Sequence, residues 1–329
     1  MANIDFIGRR ISYGIAKEAT RGTAAATAAH WIPHLSADLQ DKHESALNNS
    51  AMGVIDLNND AIVTQIWSEG KIEGKIQVES FGLILLAALG QVTSAAGAKA
   101  GTFKHSFTRL NSNLSPSLTI FEKSPAADLK YELSCLKSLE IDIVTGEYVK
   151  YTADFIGRRG TPATSTVTFV ESEAEFTSKY CQLKMAANKA GLAAAPRVSI
   201  KSAKVKIERN TEAYYEAGSV TPAEIHNKAF DVSFECERRY SDNTLKDASL
   251  NNTKYALELS MVNTDDKIGT AKDENPSLKF TLPAVVISEW ERDQGLDDVV
   301  MEKFTVQGLF SAANGTQIEA ELVNSTASY

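Results

Sequence analysis

Strict alternation of apolar and polar residues is the feature that most restricts what this chain can become. In "SLEIDIVTGEYVKYTADFIG", Leu139, Ile141 and Ile143 alternate with Glu140 and Asp142. Beyond the turn at Thr145-Gly146, Val149, Tyr151, Ala153 and Phe155 alternate with Lys150, Thr152 and Asp154. Successive strand side chains point to opposite faces, so this reads as a hairpin with one buried and one polar face. The rhythm returns at Ile72, Gly74, Ile76 and Val78, at Val205 and Ile207, and at Phe230, Val232, Phe234 and Cys236. It returns again at Tyr255, Leu257, Leu259 and Met261, at Leu278, Phe280 and Leu282, and in "EKFTVQGLF" and "TQIEAEL". The chain is therefore expected to be mainly β, a sandwich or barrel.

One segment departs from that rhythm. In "SFGLILLAALG", Leu83, Leu86, Ala87 and Gly90 fall at helical spacing, and Gly90 is a plausible stop. A short, buried helix flanking the sheet is predicted there, and a second over residues 177–191. Long inter-strand loops are expected at residues 36–60 and 210–228, where partner contacts often sit. Residues 20–29 are Ala, Thr, Gly and one Arg, with no apolar face at helical spacing, and read as a weakly structured spacer. "DFIGRR" occurs at residues 5–10 and 154–159 with different flanks, a shared strand end or a coincidence of composition.

Composition narrows the function classes. A hydrophobic content of 43% over 329 residues supports a substantial core. No apolar run approaches the roughly 18 residues of a membrane helix, so a soluble chain is expected. Cys135, Cys181 and Cys236 are odd in number and far apart, which suits a reducing compartment and small buried side chains better than a disulfide framework. A net charge of −8 argues against a nucleic-acid binder, but does not exclude a surface past which nucleic acid slides without sticking.

Catalytic and metal patterns fail one by one. His30 and His34 flank Pro33, which opposes the helix that would bring them together, and His43 adds nothing at ligand spacing. Asp56, Asn58 and Asp60 begin like a calcium loop, but Ala61 stands where Gly is required and Trp67 where the bidentate acid belongs. Glu171, Glu173 and Glu175 read as a solvated strand face rather than a glycosidase pair. No nucleophile elbow, phosphate loop or CxxC pair occurs. No enzyme, cofactor or metal is expected.

The serial order of features carries a resemblance. Gly14, Lys17, Glu18, Thr20, Gly22 and Thr23 form a Gly-x-x-Lys-Glu-x-Thr-x-Gly-Thr run. Trp31-Ile32-Pro33 follows, then a polar loop to Glu44-Ser45 and Gly53, then "GKIQVESFGLILLAALG", His105–Phe107, Pro116–Ile120, the central hairpin and "LVNSTASY". The chain resembles the tail tube proteins (major tail proteins) of long-tailed bacteriophages, most densely over residues 11–160. The resemblance implies a β-sandwich or barrel of tail-tube type, with residues 1–35 as an N-terminal arm and first strand. Residues 36–329 would then be the tail-tube domain, elaborated around residues 161–228. It implies a structural virion protein, assembled in host cytoplasm into stacked, hexameric rings that form a hollow tube through which viral DNA passes as cargo. Its partners would be itself and other tail proteins (tape measure, terminator, distal tail), with no membrane insertion.

On that reading Arg9, Arg10, Lys17, Glu18, Arg21, Trp31 and Glu44 are candidate inter-subunit or inter-ring residues. Glu140, Asp142 and Asp154 would line the lumen or else lie outside. The spacer at 20–29 would lie against a neighbouring subunit, so that its deletion leaves a folded monomer that grows tubes poorly. A β-sandwich adhesin, a decoration protein or another ring-forming tail component is the alternative.

Overall fold

Alternation becomes strand throughout the computed structural model, which describes residues 5–171 and 173–329. In chain order the first elements are β1 (Ser12–Lys17), β2 (His30–Ile32), β3 (His34–Ala37), β4 (Gln40–Asn48), β5 (Asp60–Lys75) and helix α1 (Phe81–Leu89). Next come β6 (Gly90–Ala96), β7 (Phe103–Arg109), β8 (Leu118–Lys123), β9 (Asp128–Val144), β10 (Lys150–Gly157) and β11 (Thr161–Pro162). Then follow β12 (Cys181–Ala186), β13 (Arg197–Val198), β14 (Ser202–Glu208), β15 (Thr211–Tyr214), β16 (Glu224–Asn227) and β17 (Asp231–Arg239). The chain finishes with α2 (Thr244–Leu250), β18 (Tyr255–Val262), β19 (Ser277–Asp293), β20 (Met301–Gly308) and β21 (Glu319–Asn324).

Two strands organise the others. β9 and β19 are 17 residues each, and each is divided between two sets of neighbours. The first half of β9 lies between β8 and the short β11, in a small sheet ordered β2-β1-β8-β9-β11. Its second half lies between β10 and β14. β19 pairs with β20 over its second half, and its first half lies between β18 and β21. The first large layer is therefore β4-β5-β10-β9-β14-β17-β20-β19, with β3 also on β5. The second is β6-β7-β21-β19-β18-β12-β13. Every pairing is antiparallel. Ile141, Val205, Phe234 and Phe304 of the first layer share one buried core with Phe107, Leu259, Phe280 and Leu322 of the second. Burying alternate residues from both layers is what makes a sandwich.

Helix α1 is buried at all nine positions and stops at Gly90, whose φ of 94° suits glycine. Its start is held by Glu173, which accepts from the amides of Glu79 at 2.5 Å and Ser80 at 2.6 Å, a carboxylate at the positive end of the helix. The Tyr329 ring lies on Gly82, where a Cβ would stand 2.1 Å from it. The Tyr329 hydroxyl donates to the Glu79 carbonyl at 2.6 Å. Behind that ring sits His105, fully buried, 2.8 Å from Ser94 Oγ through Nδ1 and 3.0 Å from Asn324 Oδ1 through Nε2. Burial holds the His105 imidazole pKa below its ordinary value, against hydrogen bonds to Asn324 and Thr326 that favour the charged form.

Several expectations change. Residues 177–191 are not a helix but a turn at Ser178–Tyr180, strand β12, and a second turn at Lys189–Ala193. Cys181 and Leu183 are buried while Gln182 between them is exposed, so period two prevails. Residues 36–60 and 210–228 are not open loops either; they hold β4 hydrogen-bonded to β5, and β15 to β16. Residues 161–228 supply β14 to the middle of the first layer. The three cysteines are buried and unbridged.

A depressed histidine pKa makes stability depend on pH in a defined sense. His105 contributes fully above about pH 6.5, and its contribution is lost as pH falls below that value towards the lower folded-state pKa. Thermal denaturation at about pH 7.5 and about pH 5.5 should therefore show a larger drop in Tm for the wild type than for His105→Gln. Equal drops would remove His105 as the cause.

Candidate assembly surfaces

The Lys-Glu-x-Thr-x-Gly-Thr run folds into a polar knot on the small sheet. Glu18 is 6% exposed and accepts from Leu133 N at 2.8 Å, Gly22 N at 2.7 Å and Thr119 Oγ1 at 3.1 Å, with Ser117 Oγ also donating to it. Gly22 makes the turn at φ 74°. Arg21 donates to the carbonyls of Ser115 and Ile225 and, at 2.8 Å, to Glu224 Oε1. Ala25 N reaches Thr119 Oγ1 at 2.8 Å. The spacer at 20–29 is thus tied to its own chain by hydrogen bonds, because its small side chains let the backbone lie close to β8.

The residues singled out from sequence separate into two groups. Arg9 and Arg10, in the 3-10 turn Gly8–Arg10, and Lys17 at the end of β1 are exposed. Glu44 is exposed on β4 opposite Gln65. Glu18 and Arg21 make the internal contacts just described. Trp31 is buried with Ala16 and Phe121, its indole against Gly14. These three bind the small sheet together within one subunit.

An uncovered ribbon stands where the sequence leads one to expect a loop. β4 is exposed along its whole length, as is the start of β5 from Asp60 to Thr64, so the outer ends of the two strands form a bare ribbon about 15 Å long. Leu47 and Ile62 on the ribbon, at 60% and 66% exposure, face solvent with Val63. Met52, Val54, Ile55 and Leu57 at its tip are exposed as well. The ribbon is anchored at its root, where Ile66 N donates to the Val220 carbonyl at 2.7 Å and Gly70 passes so close to Leu39 that a Cβ would stand 2.4 Å from its Cα. The clue in the sequence was a run of large apolar residues inside a turn-rich stretch, "SAMGVIDLNND".

Glu140, Asp142 and Asp154 all lie on the polar face of the first layer, in cross-strand rows. One row reads Lys75, Lys150, Asp142, Lys204, Glu235 and Thr305; the next reads Glu73, Thr152, Glu140, Lys206, Ser233 and Gln307. Lys204 Nζ is 3.2 Å from Glu140 and 3.3 Å from Asp142, and Lys206 Nζ is 2.6 Å from Glu208. Partial burial lowers the Lys204 pKa, but Glu140 and Asp142 more than offset it and leave it raised. Asp154 is half-buried; burial raises its carboxyl pKa, opposed by Lys137. Around Glu140 and Asp142 the face is polar, and Lys204 and Lys206 are already engaged by carboxylates.

Residues 8–298 match the family described as phage tail tube protein, so the chain belongs to that family, a structural one and not an enzyme. No curated protein matches it. Among solved structures, the SPP1 tail tube is 14% identical, covering 45% of this chain and 78% of that one at a TM-score of 0.29. The tube-terminating cap of the anti-feeding prophage is 10% identical, covering 47% and 96%, at 0.32. Hcp protein is 15% identical, covering 38% and 86%, at 0.22.

Because the spacer's contacts lie within its own chain, removing residues 20–29 should destabilise the subunit itself. Glu18→Ala orphans the buried Leu133 amide and the half-buried Gly22 amide and should cost about 3 kcal/mol, read as a lower urea midpoint at unchanged slope. A Glu18→Ala subunit as stable as wild type but defective in association would return Glu18 to the subunit interface.

Proposed function

We propose that this member of the phage tail tube family closes into hexameric rings that stack into the hollow tube of the tail, with DNA passing through the bore. The observation that carries the reading is the bare β4–β5 ribbon. A two-stranded ribbon is marginal alone in water and is stabilised when something covers it. Seven large apolar side chains stand on it or at its tip: Leu47, Met52, Val54, Ile55, Leu57, Ile62 and Val63. Burial contributes roughly 1.5–3 kcal/mol for each such side chain, enough together to offset the roughly 4–15 kcal/mol of lost freedom on association. Head-to-tail contacts of this kind close into rings or extend into filaments. The exposed Arg9, Arg10, Lys17 and Glu44 would sit at such contacts. The tape measure, terminator and distal tail proteins would meet the ends of the tube, and assembly would take place in host cytoplasm.

The polar face of the first layer is the proposed lining of the bore. DNA is retained by lysines free to replace its counterions. Lys204 and Lys206, held by Glu140, Asp142 and Glu208, are poor at that, and Asp154 adds a carboxyl to the same face.

Replacing residues 49–59 by Asn-Gly should leave a folded subunit, judged by circular dichroism, that no longer yields tubes in negative-stain electron microscopy. Normal tubes from that variant would sink the proposed role of the tip. Separately, Glu140→Gln combined with Asp142→Asn should give tubes that retain double-stranded DNA at low salt and release it as salt rises. If those tubes ignore DNA at every salt concentration, the face lies outside the bore.

A further inference from the structure

One cavity has a wall unlike the paired face above. It has a volume of about 240 Å³ and is lined by Arg109, Asn111, Asn113, Arg209, Asn227 and Lys228, among others, with no carboxylate in its wall. Arg209 is 3% exposed. Its Nη1 donates to the Ala88 carbonyl at 2.6 Å, and its Nη2 lies 3.0 Å from the Asn227 amide oxygen when that amide faces it. Its Nε has no hydrogen-bond partner. Arg109 donates to Asn111 Oδ1 at 3.2 Å. Among the described residues neither guanidinium has an ion-pair partner, whereas Lys228 is held by Glu212.

A buried cation without a counter-charge is costly, and removing one partner of such a charge typically destabilises by several kcal/mol. The Ala88 carbonyl, at the negative end of α1, offsets part of that cost. Burial, with the like charges of Arg109 and Arg21 adding to it, lowers the Arg209 pKa to about 10, so the group is still charged at neutral pH. The donors outnumber the acceptors around the cavity. At about 240 Å³ it is smaller than the roughly 300–1,000 Å³ of ordinary ligand pockets, which suits one small group and not a nucleotide.

We propose that this cavity is an oxyanion site, in which one carboxylate or phosphate group takes hydrogen bonds from Arg209 and Arg109 and from the amides of Asn111 and Asn113. Guanidinium groups hold such oxygens more strongly than neutral donors do. The group comes either from an acidic side chain of a second copy of this chain or from a free inorganic anion. The site does not depend on the tube reading, because the first test below uses the dissociated subunit.

Inorganic phosphate is titrated into the full chain at low concentration, against sodium chloride of matched ionic strength, while Tm and backbone amide shifts are followed. The expected result is a saturable rise in Tm, with shifts clustered at residues 109–113 and 227–230. Arg109→Gln is expected to weaken the apparent phosphate affinity about tenfold. Phosphate acting no differently from chloride, or Arg109→Gln responding as wild type does, would overturn the proposal and leave Arg209 as an anchor for α1 alone. Repeating the titration on assembled protein separates the two sources. A response lost on assembly assigns the site to a neighbour's carboxylate, and a response retained assigns it to a free anion; both uphold the oxyanion site.

Discussion

The contact between the Glu18 carboxylate and the Leu133 amide is the one on which the rest of the architecture leans. β9 serves two sheets, and at the crossing Leu133 takes φ 54°, a conformation that a branched side chain enters at a cost of about 1–3 kcal/mol. Turning there frees its amide, and a buried amide without a partner costs about as much again. Glu18 satisfies it at 2.8 Å with a charge-assisted hydrogen bond. The same carboxylate gathers Gly22, Ser117 and Thr119, so the bend, the spacer and β8 are set by one side chain. The Lys-Glu-x-Thr-x-Gly-Thr run is therefore a device for turning a strand placed more than a hundred residues further along.

That contact also marks where sequence reading stopped. The hairpin of β9 and β10, the strands β14, β17, β18 and β20, and the helix α1 were legible because each buries one side and solvates the other, or buries both. At the outer end of the β4–β5 ribbon neither side is covered within the subunit, so burial writes no alternation into it. Over residues 177–191 Ala and Lys favour a helix, whereas Cys181 and Leu183 obey the strand period, and the period prevails. Nothing in the sequence around Glu18 and Arg21 names Leu133, Ser115 or Ile225 as their partners. Long-range partners of a polar side chain leave no local trace, whereas the face of a strand does.

The two sides of the first layer do different work with one pattern. Inward, Ile141, Val205, Phe234 and Phe304 pack against the second layer. Outward, the same pleat sets Glu140 and Asp142 opposite Lys206 and Lys204, so that opposite charges face each other across strands. Opposite charges facing each other across strands stabilise the sheet modestly, by roughly 0.2–1 kcal/mol a pair, and leave the surface weakly attractive to either sign. The ribbon has no such compensation, and its apolar residues are the part of the surface that water covers least favourably.

The pairing of β7 with β21 has a consequence for the order of events during synthesis. β6 and β7 emerge well before β21, the partner of β7, and before the Tyr329 ring that seats on Gly82. At typical translation rates the wait is on the order of ten seconds or more. During that interval the second layer has an open edge and α1 lacks its clamp, so an incomplete chain cannot present a finished surface to a neighbour.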